Sequence, residues 1–196
     1  MIKEWNGKRY HSLNYFLRNK FGEKIYKISL DGGFTCPNRD GKVAKGGCTF
    51  CSARGSGDFA GSRILSITEQ FEDRKEMMEK KWKDGKYIAY FQAYTNTYAP
   101  VEELRKKYEE ALAQKNVIAL SIATRPDCLD DDVLDYLEEL NKKIYTETVF
   151  DQIWYIRSGL THADLIKVAE KYANQKILQA RDWKALQKKL QGGDRL

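Results

Sequence analysis

The sequence predicts an α/β fold in which parallel strands alternate with helices. Three observations predict it. Strand-like and helix-like periodicities alternate from about residue 24 onward. The segments between the strand-like runs are long enough for crossover helices rather than hairpins. The residues best equipped for chemistry fall just after the strand-like runs, where parallel α/β folds gather their functional loops.

Residues 1–22 read as a basic helical segment with Leu13, Phe16, Leu17 and Phe21 on its apolar side. KIYKISL (24–30) is the first strand, followed by a Gly-rich loop. Ser66-Ile67-Thr68-Glu69 is a capping-box start, and Ile67, Phe71, Met78 and Trp82 then recur at helical spacing to about Lys83, where Asp84-Gly85 stops the helix. KYIAYF (86–91) is the second strand. Pro100 suits the first turn of the next helix, with Glu102 and Glu103 at its positive end and Val101, Leu104, Tyr108, Ala111 and Leu112 as its buried stripe. VIALSIA (117–123) is a continuous apolar strand. Asp130, Asp131 and Asp132 open a third helix with the stripe Val133, Leu134, Leu137 and Leu140. Further on, an extended stretch is expected in 145–150 or 152–156, a helix capped by Thr161, a strand at 176–180, and a terminal amphipathic helix through Trp183, Leu186 and Leu190. Together these predict a partial TIM-like (β/α) barrel of about five or six strands. It would be one domain spanning 23–196, with an atypical part at 146–196.

The 196 residues suffice for one well-buried domain. At 42% hydrophobic and 32% charged, with no apolar run near the length of a membrane span, the chain reads as soluble. The net charge of +6 is uneven: residues 1–50 hold ten Lys and Arg against four Asp and Glu. Residues 176–196 hold six against two, which leaves the middle acidic. Basic residues interleaved with Trp5, Tyr10, Tyr15 and Phe16 are what a nucleic-acid surface looks like, and equally what a solvated face over an ordinary helix looks like.

Cys36, Cys48 and Cys51 lie within TCPNRDGKVAKGGCTFC, the last two as a CxxC. Three thiolates in one loop match a [4Fe–4S] cluster that keeps one iron open for a small molecule, whereas four-cysteine sites are closed. The competing reading takes Cys128 as a fourth ligand and makes a structural zinc site, although the long first spacing is poor for a compact zinc ribbon. The polar start MIKEWNGKRYH has no apolar signal region, so a reducing, cytoplasmic compartment is expected, with metal binding rather than disulfides. Cys128 reads as a packing thiol. His11 and His162 show no ligand spacing, and Tyr90, Tyr94 and Tyr98 read as packing residues.

Four blocks carry a resemblance: DGGFTCPNRDG, GGCTFC, YFQAYTNTYAP (90–100) and SIATRPDCL (121–129), in that order. They resemble the radical S-adenosylmethionine (SAM) superfamily, and more narrowly a bacterial subfamily with a long-spaced cysteine motif related to Elongator-like tRNA-modifying enzymes. The resemblance covers about residues 9–145. Members of that subfamily are longer and continue through a Glu-Leu-Gly-Leu-Gln-type strand; Glu147 is near that place but out of register.

The resemblance implies that Cys36, Cys48 and Cys51 hold a [4Fe–4S] cluster whose open iron takes the amino and carboxylate groups of SAM. An electron from a reductant such as flavodoxin or ferredoxin would then cleave SAM to methionine and a 5′-deoxyadenosyl radical that abstracts hydrogen from the substrate. Phe50 matches the aromatic position beside the adenine. Gln92, Thr95 and Asn96 follow the second strand, where SAM-methionine contacts lie, with turn capping as the other role for Asn96. Ser121 and Arg125 end the third strand and suit SAM or a substrate oxyanion, a surface ion pair being the alternative for Arg125. The implied substrate is tRNA, at a substituted wobble uridine. Two other readings stand beside it: an activase of a glycyl-radical enzyme, and a non-catalytic iron–sulfur or zinc module that binds RNA or protein.

Overall fold

The computed structural model describes residues 7–150 other than 9, 11, 50 and 81–84, and of 126 and 147–150 the backbone alone. The expected elements at 152–156, 161–172, 176–180 and 183–190 lie outside the described residues. Within them four strands alternate with helices: α1 (Leu13–Phe21), β1 (Ile25–Leu30), α2 (Ile67–Glu79), β2 (Lys86–Phe91), α3 (Val101–Leu112), β3 (Val117–Thr124), α4 (Asp131–Lys143) and β4 (Tyr145–Phe150). The strands form one parallel sheet in sequence order, β1-β2-β3-β4. Four described strands stand against the five or six expected. Tyr145–Phe150, one of the two places expected to be extended, pairs with β3 and sets Glu147 in register with Ser121.

Local sequence accounts for the helix starts. The Ser66 side chain accepts from the Glu69 N–H, and the Glu69 carboxylate accepts from the Ser66 N–H, a reciprocal capping box. Ser12 caps α1 by accepting from the Tyr15 N–H, and Gly22 closes that helix in the left-handed conformation. Helix α2 ends at Glu79, short of the expected Lys83, and residues 81–84 are outside the described set. Among the described residues no helix is long and apolar enough to cross a membrane.

The strand period of two sends alternate side chains to opposite faces. Ile28 and Leu30 of β1, Tyr87, Ala89 and Phe91 of β2, and Leu120 and Ile122 of β3 meet the stripes of α2, α3 and α4, which form the main core. The other face carries Ile25, Ile88 and Ala119, covered by Leu17 of α1 with Phe16 and Phe21 at its edge. Helix α1 therefore closes the N-terminal end of that second face, roughly 15 Å along the strands from their C-terminal ends. Midway up the same face, Lys27 Nζ donates to Ser121 Oγ at 3.1 Å and sits 4.6 Å from the centre of the Tyr90 ring.

Candidate functional site

The loop from β1 to α2 holds the three motif cysteines, and its backbone shows how a twelve-residue spacing brings them together. The Cys36 carbonyl accepts from Arg39 N–H at 2.7 Å and Asp40 N–H at 3.1 Å, and the Pro37 carbonyl accepts from Val43 N–H at 2.8 Å. A bridge between Asp40 and Lys45 completes a small excursion. The chain returns where Gly47 N–H donates to the Asn38 carbonyl at 2.9 Å, which delivers Cys48 beside the start of the loop. Gly47 has φ +87°, and a Cβ there would come within 2.9 Å of the Arg39 guanidinium.

Arginines replace regular secondary structure in holding this loop. Arg39 donates to the carbonyls of Ser52 at 2.5 Å and Ala53 at 3.3 Å; Arg63 donates to the Phe34 carbonyl at 2.9 Å. Both guanidiniums flank the Tyr94 ring, at 5.4 and 4.9 Å from its centre. Tyr94 donates from its hydroxyl to the Ala53 carbonyl and from its N–H to the Gly55 carbonyl, so the segment after Cys51 is tied to the residues following β2. Gly55 is required there: a Cβ would lie 2.5 Å from the Tyr94 ring.

The result is a cleft of about 210 Å³ at the C-terminal edge of the sheet. Its wall includes Cys36, Cys48 and Cys51 from the loop after β1, Gln92, Tyr94 and Thr95 after β2, and Thr124 and Arg125 at the end of β3. Open parallel sheets put ligands at this edge. Its charged lining residues, Arg39 and Arg125, are both cationic. Two donors point at sulfur: Asn38 Nδ2 lies 3.0 Å from Cys48 Sγ, and Ser56 Oγ 3.5 Å from Cys51 Sγ. Among the described residues no three Cys, His, Asp or Glu side chains converge on a single point as one ion's ligands. Each cysteine of a cluster serves a different iron, so thiols spaced around one wall with donors to their sulfurs fit that group's chemistry. Cys128 is buried and is not part of the wall.

The other expected site residues divide. Gln92, Thr95 and Arg125 share the cleft with the cysteines. Gln92 also donates to the Ser56 carbonyl at 2.8 Å, bracing the loop. Asn96 is fully buried, ties β2 to β3 by donating to the carbonyls of Phe91 and Ala123, and is not among the residues that line the cleft. Ser121 is also fully buried, below the cleft, with Lys27 as its partner. Phe50 lies outside the described residues. Residues that periodicity does not flag, Asn38, Arg39, Arg63, Tyr94 and Gln70, build the site's frame; the one signal for Asn38 and Arg39 is their place between the cysteines.

Arg125 is engaged by Asp127 through two hydrogen bonds, at 2.9 and 2.6 Å. Burial opposes its charge, but the adjacent carboxylate outweighs that and holds the proton more tightly than usual. It therefore presents a fixed, partly neutralised cation to the cleft. Burial, with help from the Asp127 charge, pushes the Cys128 thiol up to about 12. Tyr98 is also raised, by desolvation and then by its hydrogen bond to Asp40, a contact that ties the excursion to the loop after β2. Thr97 donates to the Cys128 carbonyl at 2.6 Å and pairs with the Thr124 hydroxyl, joining the loops after β2 and β3.

Comparison with known proteins adds relatives without an assigned activity. The chain is 67% identical over 138 residues to the uncharacterized protein YtqA of Bacillus subtilis, covering 70% of this chain and 43% of that protein. It is 43% identical over 129 residues to protein YhcC of Escherichia coli K12, covering 66% of this chain and 40% of the relative. A third relative is the uncharacterized protein MJ0486 of Methanocaldococcus jannaschii, 40% identical over 144 residues, with 71% of this chain and 40% of the relative covered. The chain thus spans about two fifths of the length of the curated relatives it matches. No family model matches it, and no solved structure matches it.

Proposed function

We propose that this chain is a radical SAM enzyme built on part of a (β/α) barrel, with Cys36, Cys48 and Cys51 holding a [4Fe–4S] cluster. The observation that carries the reading is the gathering of those three cysteines, with Gln92, Thr95 and Arg125, around one cleft at the C-terminal edge of a parallel sheet. When bound, the cluster supplies one electron for reductive cleavage of SAM, which yields methionine and a carbon radical able to take hydrogen from an unactivated position. The chain's own work is placement. Gln92 and Thr95 offer amide and hydroxyl hydrogen bonds to an amino-acid moiety. Arg125, held by Asp127, supplies positive potential to the cleft it shares with the thiols without being free to swing. Arg39, Arg63 and Tyr94 tie the cysteine loop to the sheet edge.

The test is anaerobic reconstitution of the full chain followed by incubation with SAM and dithionite. Accumulation of 5′-deoxyadenosine is the expected result. A protein that carries about four irons per chain yet forms no 5′-deoxyadenosine would instead be a binding module.

For the substrate we propose tRNA, on the basic N-terminal segment with its aromatic residues. Helix α1, which carries Arg18, lies at the sheet end remote from the cleft, so contacts there would anchor the RNA body while another part reaches the thiols. Binding should weaken steeply with added salt as counterions are released. Replacing Lys8, Arg9 and Arg18 together should lower affinity and flatten that salt slope. An affinity indifferent both to salt and to the triple replacement rules tRNA out.

A further inference from the structure

We infer that Asn38 tunes the reduction potential of the group held by Cys36, Cys48 and Cys51; the inference rests on the cluster reading above. Asn38 is 1% exposed, and its Nδ2 donates to Cys48 Sγ at 3.0 Å, a short contact for a sulfur acceptor. Its own carbonyl accepts from the Gly47 N–H, the residue just before Cys48. The side chain and the backbone of one residue therefore fix the same stretch, and the amide is held against that sulfur. Ser56, the other donor to sulfur, acts at 3.5 Å from an exposed position where water competes.

The direction of the effect follows from electrostatics. A hydrogen bond to sulfur strengthens as electron density on sulfur grows, so it favours the reduced form of whatever the thiolate ligates. Burial of the Asn38 side chain strengthens the bond further, because the dielectric around the amide is low. Hydrogen bonds to sulfur are among the levers that set cluster potentials. Asn38 is thus a positioning and tuning residue that reaches the reacting group through Cys48.

The experiment is an anaerobic redox titration, followed by electron paramagnetic resonance, on the full reconstituted chain: wild type, Asn38→Leu, Asn38→Asp and Ser56→Ala. Asn38→Leu removes the donor at similar volume and should shift the reduction equilibrium about tenfold toward the oxidised form, ~59 mV for one electron. Asn38→Asp keeps the shape but sets a carboxylate against sulfur, so its shift should be larger and of the same sign. Ser56→Ala should shift the equilibrium less than about threefold, since an exposed bond is worth less. A four-iron wild type with unchanged titration in Asn38→Leu overturns this inference and leaves the function reading standing. A wild type that takes up no cluster overturns both. If Asn38→Leu does not fold by circular dichroism, the Asp variant is judged by the same criterion. Two folded variants that load no iron would assign Asn38 to holding Cys48 and overturn the tuning role.

Discussion

Replacing Cys36, Cys48 or Cys51 singly with alanine is expected to reduce the reconstituted protein from about four irons per chain to well under one. Each thiolate would hold one iron, and the loop that carries them is ordered by backbone and arginine contacts that the substitutions leave in place. The loss should therefore appear in metal content and visible absorbance with little change in folding. Cys128→Ala should retain its iron. Cys128 lies behind the cleft wall, its carbonyl is bound by Thr97, and burial pushes its thiol up to about 12. Thiolate is the reactive form, so a thiol that burial holds protonated reacts slowly. Alkylation of the metal-free folded protein should accordingly label the three cleft cysteines well ahead of Cys128. A stoichiometric zinc that is lost on Cys128→Ala would turn the assignment to a four-cysteine structural site.

The frame of the molecule was legible because it obeys simple periods. The stripes of α3 and α4 and the apolar run of β3 were read to within a residue, since burial on one helix face or both sheet faces leaves a plain pattern. The capping box at Ser66 was legible for the same reason: its residue types act on their own backbone, four positions at a time. Polar residues that work across long separations left no such trace. Nearness to a strand end is the signal the sequence carries at Asn96 and Ser121, and at Asn96 it suits a ligand contact and a turn role equally. Their burial and their partners, 27 and 94 positions away, depend on strand order and could not be seen in the sequence. In the sequence Arg39 is one charge of the basic first fifty residues and Arg63 carries no signal, whereas the folded loop uses both as donors to its own carbonyls.

Gln70 is the sharpest case of a polar residue hidden in an apolar stripe, and Gln70→Leu is expected to destabilise the protein by about 3–5 kcal/mol. The side chain is 1% exposed on α2, directly before Phe71. Its Oε1 accepts from the Asp31 N–H at 2.8 Å, and its Nε2 donates to the carbonyls of Asp31 at 3.0 Å and Leu65 at 3.1 Å. One amide thereby joins the two ends of the cysteine loop, where the chain leaves β1 and where it approaches α2. Leucine fills nearly the same volume, so the cost arises from the N–H and carbonyl of buried Asp31 left without partners, while the carbonyl of exposed Leu65 can turn to water. Glutamate in its place would keep an acceptor for the Asp31 N–H but turn oxygen toward the two carbonyls, and should be about as damaging. In urea the midpoint should fall by about 2 M with an unchanged slope, taking a slope of about 2 kcal/mol/M for a small domain. The neighbouring Phe71→Leu, which removes apolar contact alone, should cost about 1–2 kcal/mol. The two variants should also separate at the cleft. With the loop ends untied, Gln70→Leu should lose reconstituted iron under native conditions in which Phe71→Leu keeps it. A Gln70→Leu protein destabilised by less than about 1 kcal/mol, or one that retains iron as firmly as the Phe71 variant, would show that the arginine contacts alone hold the cysteine loop.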